Sequence, residues 1–167
     1  ALAVEGGIQI WSQTGRMEFE NVTNRVRGTP EGLKVGQLHV VDWDRDVDYD
    51  LVLGRTNIPG YFENQRHGEF VWRAFTEPFG GKPLEDVGIV EADGNASWDL
   101  AAFTPAGATM LLTTTPDRGV TRPLRQFELA GQALGSLQSG DFNNDGGLDL
   151  VGLSAEGMSL ISGDGAG

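Results

Sequence analysis

Apolar residues along this chain fall in short runs, and acidic or glycine-rich clusters separate them at a regular interval. Runs at 37–41, 84–90 and 133–137 each lead into an acidic segment, and runs at 51–53, 100–103 and 150–153 follow one. Runs this short, bounded by Gly, Asn and Asp, predict strands joined by turns rather than helices. A third strand is expected after each pair, at 61–62, 108–112 and 158–161, and a fourth at 69–75 and 124–129. Segments 2–4, 7–11 and 17–20 have the same character and predict three more strands near the N-terminus.

The acidic segments themselves align residue for residue: 42–51, 91–100 and 141–150, whose first residues are 49 and 50 positions apart. A four-stranded propeller blade needs about 40–50 residues, so the interval fits one. The expected fold is therefore all-β, a β-propeller of four-stranded blades. Residues 1–30 would end one blade with its second to fourth strands, 31–80 and 81–130 would be full blades, and 131–167 would begin another with three strands. Blades close a propeller only as a ring of about four to eight. The chain is expected to need further blades, from more chain or from other copies.

The segment 141–149 places Asp141, Asn143, Asp145 and Asp149 at loop positions 1, 3, 5 and 9. Oxygens on alternate residues of a tight turn curl around one point. Gly146 at position 6 permits the sharp bend, and the carbonyl of Gly147 at position 7 can face the same point. Ca²⁺ accepts about six to eight such oxygens with loose angular demands, whereas Mg²⁺ holds to a strict octahedron. Position 12 is Gly152, within an apolar run, where a helix-flanked EF-hand loop carries a bidentate glutamate, so that reading fails. Ordinary acidic turns also use Asp, Asn and Gly, but three in register favour a metal loop.

In the first segment Asp42, Asp44, Asp46 and Asp50 occupy the ligand positions, with Asp48 offering its carbonyl at position 7. Crowded carboxylates repel one another unless a cation lies among them. Val47 stands where glycine is preferred, and a β-branched residue resists the left-handed backbone. In the middle segment Glu91, Asp93, Asn95 and Asp99 form a weaker set, because Glu91 is longer, Asn95 is neutral and Ala96 replaces the glycine. Two Ca²⁺ sites, with this weaker third, are the expected cofactors.

Segment 141–150 resembles the loop of the FG-GAP or VCBS repeat family, Asp-x-Asp/Asn-x-Asp-Gly-x-x-Asp-Leu, and the likeness extends along the chain through turns such as 60–64 and 15–23. The resemblance implies a seven- or eight-bladed propeller with structural Ca²⁺ between the first two strands of several blades. It also implies an extracellular, periplasmic or cell-surface module that binds a protein or glycan. The alternative is part of a carbohydrate-active protein, a lectin or polysaccharide lyase propeller.

Charge and composition narrow the partners. The net charge is −12, and the three loops hold 11 of the 24 acids, so nucleic acid is not an expected partner. No apolar stretch reaches the roughly 20 residues of a membrane helix, and residues 1–5 lack the features of a signal peptide, which would lie upstream. There is no cysteine. Only His39 and His67 could act as bases near neutral pH, and no nucleophile elbow, zinc-helix signature or phosphate loop accompanies them, so catalysis is not favoured. Trp11, Trp43, Trp72 and Trp98 could stack on sugars, though tryptophan in a blade more often packs between sheets. Asn21 and Asn95 begin glycosylation triplets short enough to arise by chance.

Overall fold

In a computed structural model the chain is all-β. The structure describes residues 1–75, 81–95, 97–104, 109–115, 119–127, 136–154 and 157–163; for 109–115, 119–127 and 154 it describes the backbone only. Among the described residues sixteen strands run in order: β1 (Leu2–Val4), β2 (Gly7–Gln9), β3 (Trp11–Gly15), β4 (Glu18–Asn21), β5 (Val26–Arg27), β6 (Val35–Val41), β7 (Asp50–Thr56), β8 (Gly60–Asn64), β9 (Phe70–Ala74), β10 (Asp86–Val90), β11 (Asp99–Phe103), β12 (Thr109–Thr115), β13 (Gly119–Phe127), β14 (Ser136–Gly140), β15 (Asp149–Ser154) and β16 (Gly157–Ile161). Among the described residues no helix is long and apolar enough to cross a membrane.

Sequential strands pair antiparallel into small meanders: β6 to β9, β10 to β13, and β14 to β16, with each acidic loop joining the first two strands. The short β5 adds to the first of these by pairing parallel with β9, which makes five strands. Two residues are too few to show a period, so this strand had no signal in the sequence. Residues 108, 128–129 and 133–135, expected to lie in strands, fall outside the described residues.

The segment 7–11, expected as one strand, is divided. Gly7–Gln9 pairs back with β1, and Trp11–Gly15 pairs forward with β4. Ile10 between them turns to a different partner: its amide donates to Thr23 Oγ1 at 3.0 Å and its carbonyl accepts from the Val22 amide at 2.9 Å. Ile8 and Ile10 nevertheless both reach the core.

Period-2 alternation decides what each sheet touches. Leu51, Leu53 and Phe62 face back toward Ile8, Ile10 and Val22, whereas Val52 and Tyr61 face forward to Val87, Ile89, Leu100 and Ala102. Ala101, between Leu100 and Ala102, faces forward again to Leu150. Strands β10 and β11 are consequently buried on both faces throughout. Leu150 of the last sheet packs over Gly88, where a Cβ would stand 2.7 Å from Leu150 Cδ2.

Polar contacts reinforce the stack. Thr56 and Leu84 exchange two backbone hydrogen bonds, 2.9 and 2.8 Å, which tie the first large sheet to the approach of the second. Asp86 is fully buried: Oδ1 accepts from the Val87 amide at 2.8 Å, and Oδ2 from the Leu137 amide of the last sheet at 2.9 Å. The Gln37 side-chain amide, turned so that both its ends are satisfied, donates to Asp86 and accepts from His39 Nε2. One carboxylate thus joins three sheets.

Phe62 is completely buried, against Trp72 at 5.1 Å and the apolar N-terminal strands. Phe62→Ala should cost about 3–5 kcal/mol in a urea unfolding titration, while Val40→Ala, at a 63% exposed position, should change stability by no more than about 0.5 kcal/mol. Equal effects from the two would contradict this packing.

Candidate metal centre

Each acidic segment forms the hinge between the first and second strand of its sheet, and the same internal hydrogen bonds recur in it. The aspartate at position 9 is wholly buried in all three cases. It accepts from the backbone amide at position 2: Asp50 from Trp43 at 2.9 Å, Asp99 from Ala92 at 2.6 Å, and Asp149 from Phe142 at 2.9 Å. The other oxygen reaches an amide fourteen residues on, at Asn64 for Asp50 and Gly163 for Asp149. One side chain therefore closes the loop and pins its far end.

The remaining positions make Asx-type turns. Position 1 accepts from the position 6 amide, as Asp42 from Val47 at 3.1 Å and Asp141 from Gly146 at 3.0 Å. Position 5 accepts from position 7, as Asp46 from Asp48, Asn95 from Ser97 and Asp145 from Gly147. Position 4 adopts a left-handed backbone throughout, at Arg45 (φ 59°), Gly94 (φ 69°) and Asn144 (φ 63°).

Within this frame the carboxylates converge. One oxygen each of Asp42, Asp44 and Asp50 lies within 4.8 Å of the others, and Glu91, Asp93 and Asp99 do the same. Asp42 Oδ1 and Glu91 Oε1 are buried and accept no hydrogen bond. Buried anionic oxygens without donors are costly, and a cation among them removes the cost. Both clusters could hold a metal ion. The positions used are 1, 3 and 9. In the third loop these are Asp141, Asn143 and Asp149, an amide replacing one carboxylate. There Asn143 instead donates to Asp145 Oδ2 at 2.8 Å and accepts from the Asp145 amide, while Asp141 accepts from Asp145 and Gly146. Gly147 donates to Asp145 through its amide and is buried.

Two residues belong to the first loop although nothing in its own sequence marks them. Arg66, in the turn between β8 and β9, places Nε 2.6 Å from Asp48 Oδ2 and donates from Nη2 to the Asp46 carbonyl at 3.2 Å. The Asp48 side chain is thus ion-paired. Asn64 adds its amide to Asp50, as above, and its side chain donates to the Tyr49 carbonyl at 3.1 Å. Both lie a strand away in sequence, where no local pattern points to the loop.

The tryptophans divide. Trp43 is core, 8% exposed, with ring contacts to Tyr61 and Phe75 at 6.2 and 5.7 Å. Its place in the loop does not make it a ligand platform. Trp98 is partly buried, packs against the same cluster, and carries the Arg45 guanidinium 5.8 Å above its ring. Beside it an open cleft of about 850 Å³ is lined by Val40, Asp42, Arg45, Tyr49, Trp98 and Ser139, among others. His39 also borders this cleft, and burial holds its imidazole below the usual range despite the opposing charge of Asp86. His67 is exposed in the turn beside Arg66. Ala96 lies outside the described residues. No protein-family model matches the chain, and no curated protein matches it significantly.

Burial pushes the Asp50 carboxyl up to about 6, aided by the neighbouring Asp44 charge and opposed by the hydrogen bonds from Asn64 and Trp43. The folded state then binds more protons than the unfolded one between about pH 4 and 6, so this group's contribution to stability falls as pH rises through that window. The pH dependence of unfolding for the metal-free protein, minus that of Asp50→Asn, should show this decline and a plateau above. A difference that rises with pH would contradict it.

Val47 holds φ 80° at 86% exposure. A left-handed non-glycine residue costs about 1–2 kcal/mol, partly offset by the extra freedom glycine has when unfolded. Val47→Gly should therefore stabilise the chain by roughly 0.5–1 kcal/mol in chemical denaturation. A loss of stability would show that Val47 makes contacts worth more than its strain.

Proposed function

We propose that the chain is a calcium-binding propeller module of the FG-GAP or VCBS type, used outside the cytoplasm for binding or adhesion, with Ca²⁺ in a structural role. The observation that carries this reading is the convergence of Asp42, Asp44 and Asp50 around a buried Asp42 oxygen that has no donor. The sequence interval of 49 and 50 residues and the shared hydrogen-bond frame of the three loops support it further. Hard oxygens, clustered negative charge and an absence of cysteine and histidine among the clustered side chains match Ca²⁺ better than a transition metal.

In the first loop Asp42, Asp44, Asp46 and Asp50 would hold the ion, with the Asp48 carbonyl. Glu91, Asp93, Asn95 and Asp99 would hold a second, and Asp141, Asn143, Asp145, Asp149 and the Gly147 carbonyl a third, each of these two sets having one carboxylate fewer than the first. Bound Ca²⁺ supplies charge neutralisation at the hinge of two strands. The chain's own part is to fix the hinge, through the position 9 aspartates and, at the first loop, Arg66. Further blades, from more chain or other copies, complete the ring. The ligand is a protein or glycan outside the cell.

One observation favours the carbohydrate-active reading within this class. The open cleft beside the first loop presents Tyr49, 66% exposed, with Trp98, Arg45 and Asp42. Apolar rings next to charged hydrogen-bonding groups are what a sugar face requires. A glycan array would separate the readings: retention of defined glycans, lost in Tyr49→Ala, favours the lectin, and no retention favours a protein ligand.

Calcium at a hundredfold excess over its dissociation constant should stabilise the fold by about 2.7 kcal/mol per site and raise Tm by on the order of 5 °C or more. EDTA should reverse the rise, and Mg²⁺ should give less. An unchanged Tm in calcium and in EDTA would overturn the proposal.

A further inference from the structure

The turn between β8 and β9 holds three consecutive residues in a left-handed backbone: Arg66 (φ 70°), His67 (φ 54°) and Gly68 (φ 75°). Two of the three carry side chains, and such residues persist only where surrounding contacts hold them. Some of those contacts come from the segment that includes β5. Arg25 Nη1 donates to the His67 carbonyl at 3.0 Å, and the Arg27 guanidinium pairs with Glu69 at 3.3 Å. Others lie within the turn: the Gln65 amide donates to the Glu69 carbonyl at 2.8 Å, the Glu69 amide to the Arg66 carbonyl at 3.0 Å, and the Arg66 amide to Asn64 Oδ1 at 3.0 Å.

A turn braced in this way grips the second half of the first acidic loop. Asn64 holds position 9 through its amide and position 8 through its side chain. Arg66 holds positions 5 and 7, donating from Nη2 to the Asp46 carbonyl and from Nε to the Asp48 carboxylate. Between those two points stands Val47, at φ 80°. In the third loop position 6 is Gly146, at φ 90°. There, among the described residues, the hydrogen bonds to Asp145 and Gly147 all come from within the loop. Glycine takes a left-handed backbone freely and valine resists it. The first loop therefore has the bend without the residue that favours it, and a guanidinium fork from elsewhere in the sheet bonded on both sides of the bend.

We infer that Arg66 is a positioning residue for calcium at the first loop: by gripping Asp46 and Asp48 on either side of Val47, it holds the bend that Gly146 gives the third loop unaided. The inference rests on the calcium reading above, which it deepens by naming a residue outside the loop that sets the affinity of one site. Asp46 and the Asp48 carbonyl are among the groups that would hold the ion, and a loop already bent has less freedom to lose when the ion arrives. A planar fork can reach both acceptors at once, which a point charge cannot. The positive charge by itself acts the other way, because it repels a cation. Grip and charge can therefore be told apart.

Calcium titrations of four metal-free chains test this: the original, Val47→Gly, Arg66→Lys and the two substitutions together, each read at the site that Asp44→Asn removes. Arg66→Lys keeps the charge and loses the fork. It should raise the dissociation constant of that site about three- to fivefold, the size a contact at the surface allows, and leave binding at the second loop unchanged. In the Val47→Gly background the same substitution should change the constant by less than about twofold, because the two effects act through one bend and do not add. Arg66 and Val47 are both exposed, and circular dichroism checks that all four chains fold alike. An Arg66→Lys chain that binds calcium as tightly as the original overturns the inference. So does an equal loss in both backgrounds, which would mean that Arg66 does not act through the bend at Val47, or an equal loss at the first and second loops, which would mean general damage. If calcium binds and the cycle shows none of this coupling, the inference alone fails. If the original chain binds no calcium, the calcium reading fails and the inference falls with it.

Discussion

A carboxylate removed from water must find donors, and Asp50, Asp99 and Asp149 find them in the backbone of the loop each one closes. Everything near the loop follows from that bond. It fixes the second residue of the loop against the start of the next strand. It also leaves the residues between to curl outward through left-handed turns, so the carboxylates at positions 1 and 3 come back toward position 9. The cost appears in Asp50, whose carboxyl is hard to ionise in so dry a place. In this account a divalent cation offsets that cost, because positive charge beside buried oxygens favours the ionised form that desolvation disfavours.

The second constraint is that sheets this small cannot stand alone. Three or four strands with apolar residues on both faces need a neighbour on each side, and the alternation in β7, β10 and β11 supplies one. Asp86 shows the same economy in polar form, since its oxygens are satisfied partly by its own strand and partly by β14. Stacking of this kind makes the position of each loop depend on the sheets beside it. Arg45 over Trp98, joining the first two acidic loops, is the clearest instance.

Much of this was legible in the sequence, and for a physical reason. A repeated acidic loop fixes residue types at fixed offsets, so its three copies align residue for residue, and strands flanking a hinge show themselves as apolar runs. The all-β class followed. Contacts that depend on tertiary approach carried no such mark. Arg66 clamps a loop some twenty residues earlier; Ile10 abandons its strand for Thr23; β5 pairs parallel with β9 through two residues. Trp43 is ambiguous because a tryptophan in an acidic loop can face water or the core, and only the packing of its ring against Tyr61 and Phe75 decides between them. Val47 is a residue type that disfavours the left-handed backbone, and the chain adopts that conformation there regardless.

The central claim, that these loops are calcium sites rather than acidic turns held by their own hydrogen bonds, is tested most directly by titrating calcium into the metal-free chain in a calorimeter. The account predicts saturable binding of at least two ions per chain, with Asp44→Asn removing or strongly weakening one of them while the fold persists. No binding heat at any calcium concentration, or binding that is indifferent to Asp44, would contradict it.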